Sequence, residues 1–255
     1  MATIRIERGK RLTTLRFDRP HGNAINPEFV GDLLAALAGL ENDDAVRGLM
    51  LASAHPKIFC PGLDLRELYP LSRVQMEGFL ERFCEMVHRL FVFPKPVAAA
   101  IGGHAVAGGC VLALACDWRV LSDGGAMIGL NEVRLGVGLP WSVATLMRNA
   151  VAGPRQTEAA LMGRNFSGAD AVAAGMAQEI APAGQVEARA EERLGELADK
   201  EPAAFGAIKG FLRGDAGASM RDGDRRHADL FLDLWFSEPT RRLVGETVRQ
   251  LEARG

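Results

Sequence analysis

No unbroken apolar run in this sequence reaches the roughly 20 residues that a bilayer-spanning helix needs. The most apolar segment, Ala105 to Cys116, is shorter than that and carries two glycines, so a transmembrane span is not expected. The opening, MATIRIERGKRLTTLRF, lacks the continuous apolar core of a secretory signal, and export is not expected. Charge of one sign is also missing. The formal net charge is -2 with 24% charged residues, which leaves no electrostatic basis for holding nucleic acid or an anionic membrane. Cysteine is scarce and unpatterned. Cys60, Cys84, Cys110 and Cys116 sit among apolar neighbours without CxxC spacing, which points to buried thiols in a reducing cytoplasm rather than disulfides or a metal centre. The sequence has no GxGxxG, no P-loop and no HExxH, so Rossmann nucleotide binding, phosphate hydrolysis and zinc-protease chemistry are unsupported. It also lacks internal repeats, low-complexity tracts and flexible linkers, which argues against independent domains.

What is present is a chain of 255 residues, 48% of them apolar, enough for one large core with at most a small appendage. Ile4 to Glu7 and Leu12 to Phe17 alternate like two strands joined at Gly9, a hairpin. Asn26 and Pro27 open a helix whose apolar residues, Phe29, Val30, Leu33, Leu34, Leu37 and Leu40, recur at helical spacing. Val46 to Leu51 reads as a buried strand, followed by a loop over Ser53 to Gly62 and a helical turn at Leu65 to Leu68. Ser72 and Gln75 form a capping box for a long helix ending near Phe93, before Pro94 and Pro96. Next come a strand at Val97 to Ile101, a tight turn over Gly102 to Gly109, a helix from Cys110 to Cys116 and a strand at Trp118 to Leu121. After Gly153 the pattern is almost wholly helical, with breaks at Gly163 to Gly168, Gly175, Pro182, Pro202 and Gly214 to Gly217. Alternating strands and helices define a mixed α/β class. The organisation expected is a core over 1–201 and a helical region over 202–255.

Two stretches share one form, a strand entering a glycine turn and then a helix: KIFCPGLDL (Lys57 to Leu65) and KPVAAAIGGHAVAGGCVLALACD (Lys95 to Asp117). The first N–H groups of a helix have no internal acceptor and lie at the positive end of its dipole, so they suit an oxygen that gains negative charge. Taken singly, each stretch is more often a structural turn, because glycine turns before helices are common. Together with IGLNEVRLGVGLP (Ile128 to Pro140) and the loop RPHGNAIN (Arg19 to Asn26), they resemble the signature of the crotonase (enoyl-CoA hydratase/isomerase) family. The resemblance runs over most of the chain. It implies a crotonase-like ββα spiral core with a C-terminal helical appendage, and an acyl-CoA thioester as substrate. It implies no separate cofactor beyond the coenzyme A of that substrate, and no metal.

By that resemblance the N–H groups of Leu63 and Gly108 form an oxyanion hole for the thioester carbonyl, and Glu132 is the catalytic acid/base. An apolar setting around Leu130, Val133 and Leu135 would raise the Glu132 pKa and sharpen it as a base. The family's hydratases carry a second glutamate three residues after the oxyanion glycine; here that position is Val111, which can neither orient water nor carry a proton. One glutamate suffices to move a proton from C2 to C4, so the reaction expected is that of a Δ3,Δ2-enoyl-CoA isomerase. The GLNEVRLG segment, the Leu-Pro-Trp turn at Leu139 to Trp141 and the tail from Phe231 to Arg254 also resemble the family's isomerases. A hydratase, a thioester hydrolase on the same fold and a non-catalytic acyl-CoA binder remain alternatives.

The resemblance further places Ala24, Pro61, Arg66, Val111 and Leu139 against the substrate, with Arg66 near the CoA phosphates. Lys209 and Arg213 are weaker candidates for the same phosphates. His104 is expected as a packed, hydrogen-bonded histidine, Asp117 as a backbone partner at a helix end, and Asp64 as the cap of the short helix that follows it. Phe79, Phe83, Phe91 and Trp235 are expected in the core or at a subunit interface, some of them lining an acyl tunnel. A homotrimer or homohexamer is implied, with the helical tail covering its own or a neighbouring site.

Overall fold

The structure, a computed structural model, describes residues 2–253; Met1 and Arg254, at the ends of two segments quoted above, lie outside them. The chain opens with a hairpin in which β1 (Ile4–Arg8) pairs antiparallel with β2 (Leu12–Phe17). Thr13, Leu15 and Phe17 of β2 are buried in alternation, as the two-residue period of a half-covered strand requires. A single helical turn, α1 (Pro20–Asn23), leads to α2 (Pro27–Glu41). The Asn26 side chain accepts the N–H of Phe29 at 2.9 Å, and Pro27 occupies the first helical position, where a missing N–H costs nothing.

From there the chain repeats one cycle of long strand, short strand and helix. The first cycle is β3 (Gly48–Ser53), β4 (Ile58–Cys60), the short α3 (Leu65–Leu68) and the long α4 (Arg73–Phe91). The second is β5 (Val97–Ile101), β6 (His104–Val106) and α5 (Gly108–Ala115). The third is β7 (Trp118–Ser122), β8 (Ile128–Gly129) and α6 (Trp141–Ala150). Then follow α7 (Gly153–Gln156), α8 (Gly168–Ala173), β9 (Glu179–Ala181) and α9 (Val186–Ala198). Among the described residues the long strands form one sheet in the order β1-β2-β3-β5-β7-β9, and the short strands a second, β4-β6-β8. Among the described residues every strand-to-strand pairing after the hairpin is parallel, and an isolated antiparallel bridge joins Ile128 to Phe166. The result is the ββα spiral, and its short second sheet gathers the ends of β4 and β6, from which both glycine turns leave.

Both faces of the central strands are covered, which is why β5 is buried at every residue and reads as an apolar run. One face meets the main core. The other, through Met50, Ala52, Ala98, Ala100 and Val120, meets Val186, Ala190 and Leu194 of α9. The four cysteines are buried and free. No described helix is long and apolar enough to cross a membrane.

Some expectations change. The stretch from Gly102 to Gly109 is not one turn, because His104 to Val106 pair with β4 and β8. The mostly helical region after Gly153 also holds one short strand, because β9 closes the edge of the main sheet beside β7. The glycines from 214 to 217 break nothing: α10 (Pro202–Phe236) runs through them for 35 residues. A Cβ built at Gly217 would lie 2.8 Å from Val92 Cγ1, and one at Gly223 only 2.0 Å from Trp141 Cδ1. Glycine there lets α10 lie close against its neighbours. The last helix, α11 (Glu238–Glu252), starts after a break at Ser237, with Pro239 in its first turn.

Candidate active site

The first glycine turn leaves β4 through Pro61 and Gly62, the latter at φ +104°, a conformation that favours glycine. Ile25 then bridges this turn: its N–H donates to Gly62 O at 2.8 Å and its carbonyl accepts from the Asp64 N–H at 2.8 Å. With both neighbours engaged on the Ile25 side, the N–H of Leu63 lies on the other. The second turn enters α5 through Ala107, whose φ of +48° and ψ of -124° are uncommon for a residue with a side chain. That ψ sets the plane of the next peptide and hence the direction of the Gly108 N–H, which at the first position of α5 has no intrahelical acceptor. The turns touch. A Cβ at Gly62 would sit 2.7 Å from Ala107 Cβ and 3.1 Å from Gly108 N, and one at Gly108 would sit 3.2 Å from Gly62 Cα. Glycine at both places lets the two backbones meet, and Leu63 and Gly108 border the same cavity of about 400 Å³.

Glu132 opens a single 3-10 turn, Glu132–Leu135, after β8. The turn ends in the left-handed Gly136, whose carbonyl accepts from Thr240 Oγ1 at 2.9 Å, so α11 holds it in place. Glu132 is half-buried as a residue, but its Oε2 is enclosed and has no hydrogen-bond partner among the described residues. Burial raises its pKa to about 7, opposed only by the backbone N–H groups of Glu132 and Asn131. The carboxylate borders the cavity that Leu63 and Gly108 border. Among the described residues its only other acidic lining residue is Asp64, which caps α3 through the Arg66 N–H and pairs with Arg19 at 2.7 Å.

Ala24, Pro61, Arg66 and Val111 also line this cavity, with Phe79, Phe83, Phe231 and Trp235 forming an aromatic wall. Leu139 does not. Its neighbours Gly138 and Pro140 face the cavity, whereas Leu139 packs on the core. The Arg66 guanidinium donates to Leu251 O at 2.6 Å, tying α3 to α11, and Thr247 and Leu251 complete the wall from the same chain. Lys209 and Arg213 lie elsewhere, because they are spent on internal contacts. Lys209 pairs with Asp117 at 2.7 Å, and Arg213 caps the end of α5 through Ala115 O at 3.0 Å. Asp117 also accepts the Val97 N–H, and His104 Nδ1 accepts the Met127 N–H. Phe91 packs under the Arg213 guanidinium, away from the cavity. Sequence reasoning passed over Asn131 beside Glu132, and Arg19, whose partners come from distant segments.

Two touching glycine turns that offer free amides, with a raised carboxylate on the same cavity, define a site suited to a carbonyl compound with a labile α proton. The family model for enoyl-CoA hydratase/isomerase matches residues 7–239. The chain belongs to the enoyl-CoA hydratase/isomerase family. It is 35% identical over 184 residues to the mitochondrial enoyl-CoA delta isomerase 1 of Homo sapiens, a match that covers 71% of this chain but only 61% of that protein. It is 32% identical over 238 residues to a putative enoyl-CoA hydratase of Thermus thermophilus, covering 92% of each. The crystal structure of human mitochondrial delta3-delta2-enoyl-CoA isomerase superposes with a TM-score of 0.94 at 26% identity, covering 99% of both chains.

Proposed function

We propose that this protein is a Δ3,Δ2-enoyl-CoA isomerase. The observation that carries the reading is the single uncommitted carboxylate in the cavity: Glu132 has a free, enclosed oxygen, Asp64 is held by Arg19, and Val111 stands where a hydratase would need its second acid. The thioester carbonyl of a 3-enoyl-CoA accepts from the Leu63 and Gly108 N–H groups. Glu132 takes a proton from C2, and the C–H electron pair moves into C1–C2 to give a dienolate whose oxygen the two amides stabilise. The same carboxyl then returns the proton to C4, the remaining double bond settles between C2 and C3, and the carbonyl re-forms. A carboxylate freed from water is a stronger base, and desolvation is the cause of its raised pKa.

The test offers the protein 3-enoyl-CoA and 2-enoyl-CoA in parallel and identifies the products. Conversion of the first to the conjugated ester, without water addition to the second, is the expected result. Hydration of the 2-enoyl ester would favour the second reading, a hydratase, which the likeness to the Thermus thermophilus protein supports. Saturable binding with no turnover of either ester would leave an acyl-CoA binder.

A further inference from the structure

We propose that Arg19 is the positioning residue of the oxyanion donor Leu63, an inference that rests on the isomerase reading above. Its side chain is 8% exposed and lies under the loop that borders the cavity. Nη1 donates to Asp64 Oδ2 at 2.7 Å and to Ala24 O at 2.8 Å, while Nη2 donates to Glu67. The second oxygen of Glu67 accepts from Asn26 Nδ2 at 2.9 Å. One planar fork therefore joins two backbone segments, 24–26 and 62–64, and the first turn of α3. A lysine would bring a point charge rather than a fork and satisfy fewer of these partners.

The two segments it joins decide where the Leu63 amide points. Ile25 N–H bonds Gly62 O, and Asp64 N–H bonds Ile25 O, so the two strands form a ribbon one residue long. A peptide unit is planar and trans, so its N–H points opposite to its carbonyl. With Gly62 O aimed at Ile25, the Leu63 N–H of the same peptide is aimed away from Ile25. So short a ribbon has little cooperativity of its own. Arg19 grips both of its sides, at Ala24 O next to Ile25 and at the Asp64 carboxylate next to Leu63. Asp64 is 4% exposed and would be an uncompensated buried charge without the guanidinium, so losing the pair releases the segment that carries the donor.

The experiment compares wild type with Arg19→Met and Arg19→Lys by steady-state kinetics and by isotope-edited infrared spectroscopy of a bound saturated acyl-CoA labelled at the thioester carbonyl. In the wild type the carbonyl band shifts to lower frequency on binding, because two donors polarise it. Arg19→Met is expected to lower kcat about tenfold to a hundredfold, the scale of a misplaced or lost donor, with a much smaller change in KM. Its bound carbonyl band moves back toward the solution frequency, and Arg19→Lys falls between. The band is read on folded, ligand-bound protein, so a role in stability alone would leave it unmoved. A wild-type band shift that persists in both variants overturns the assignment of Arg19 while sparing the oxyanion hole. Absence of any shift in the wild type overturns the oxyanion hole and the proposal together. If Arg19→Met does not fold, Arg19→Lys decides by the same band.

Discussion

As the proposed base, Glu132 would set function against stability. The unfolded chain releases this proton near the ordinary value of 4.5, whereas the folded protein holds it to about 7. Between those values the native state binds the additional proton, so stability declines as pH rises, and above about 7 the whole cost, roughly 3 kcal/mol for a shift of this size, is present. Glu132→Gln has no charge to bury. Its Tm should exceed that of the wild type at about pH 8, with the gap closing toward about pH 4, a comparison that thermal unfolding at several pH values supplies. The same substitution should abolish isomerisation while leaving acyl-CoA binding largely intact. In the wild type kcat/KM should rise with pH through an inflection near 7. A mutant that keeps its turnover, or a flat profile, removes Glu132 from the mechanism. Val111 is the companion test. It lines the cavity on the first turn of α5, close behind the Gly108 donor, and Val111→Glu should raise water addition to a 2-enoyl-CoA, measured by loss of the conjugated absorbance. No gain would mean that the water site is missing for reasons beyond the absent acid.

At the scale of elements, α4 supplies Phe79, Leu80 and Phe83 to the cavity wall, and on the proposed function it should set the room left for the acyl chain. Leu80 is 5% exposed and borders both the catalytic cavity and a groove of about 610 Å³ between α4 and α10. Trimming it to alanine should open the wall that the two spaces share. Each additional buried methylene contributes about 0.8 kcal/mol, so two more should improve kcat/KM for a long-chain 3-enoyl-CoA about tenfold relative to a short one. The mutant should lose roughly 2–5 kcal/mol of stability. A chain-length series on both proteins reads the shift, and an unchanged preference would place the end of the acyl site elsewhere.

The elements that local chemistry dictates were legible in the sequence. Asn26 and Pro27 start α2, Ser72 and Gln75 box the start of α4, and Val97 to Ile101 is an unbroken buried strand. Elements defined by a distant partner were not. β8 is two residues long and β9 three, too short for any period, and each exists because a neighbouring strand has a free edge. Gly217 reads as part of a break because its reason, contact with Val92, lies far away in the chain. The site divides in the same way. The glycine turns and Glu132 sit in recognisable strings, whereas Arg19 meets Asp64 across 45 positions and Leu139 differs from its neighbours only in the direction it faces.

At the scale of the whole molecule, α10 presents an apolar face that its own chain leaves uncovered. Ile208, Phe211 and Leu212, spaced as neighbours on one helix face, are 58%, 87% and 76% exposed. The family resemblance implies a trimer or hexamer, and this face is suited to such a contact. The cavity beside Glu132 has a different relation to assembly. Its walls run from Ala24 to Leu251 of one chain, and α11 covers it in cis through Arg66 and Thr240. Association and catalysis should therefore separate. Light scattering should give a native mass of three or six chains, and Phe211→Glu should shift it toward one, since a charge desolvated at a contact without a partner is strongly unfavourable. The dissociated form should keep the KM of the wild type, because α11 of the same chain already closes the cavity beside Glu132 and the two glycine turns. A monomer that binds acyl-CoA much more weakly would show that a neighbouring chain completes the site, and an oligomer untouched by Phe211→Glu would move the contact to another face.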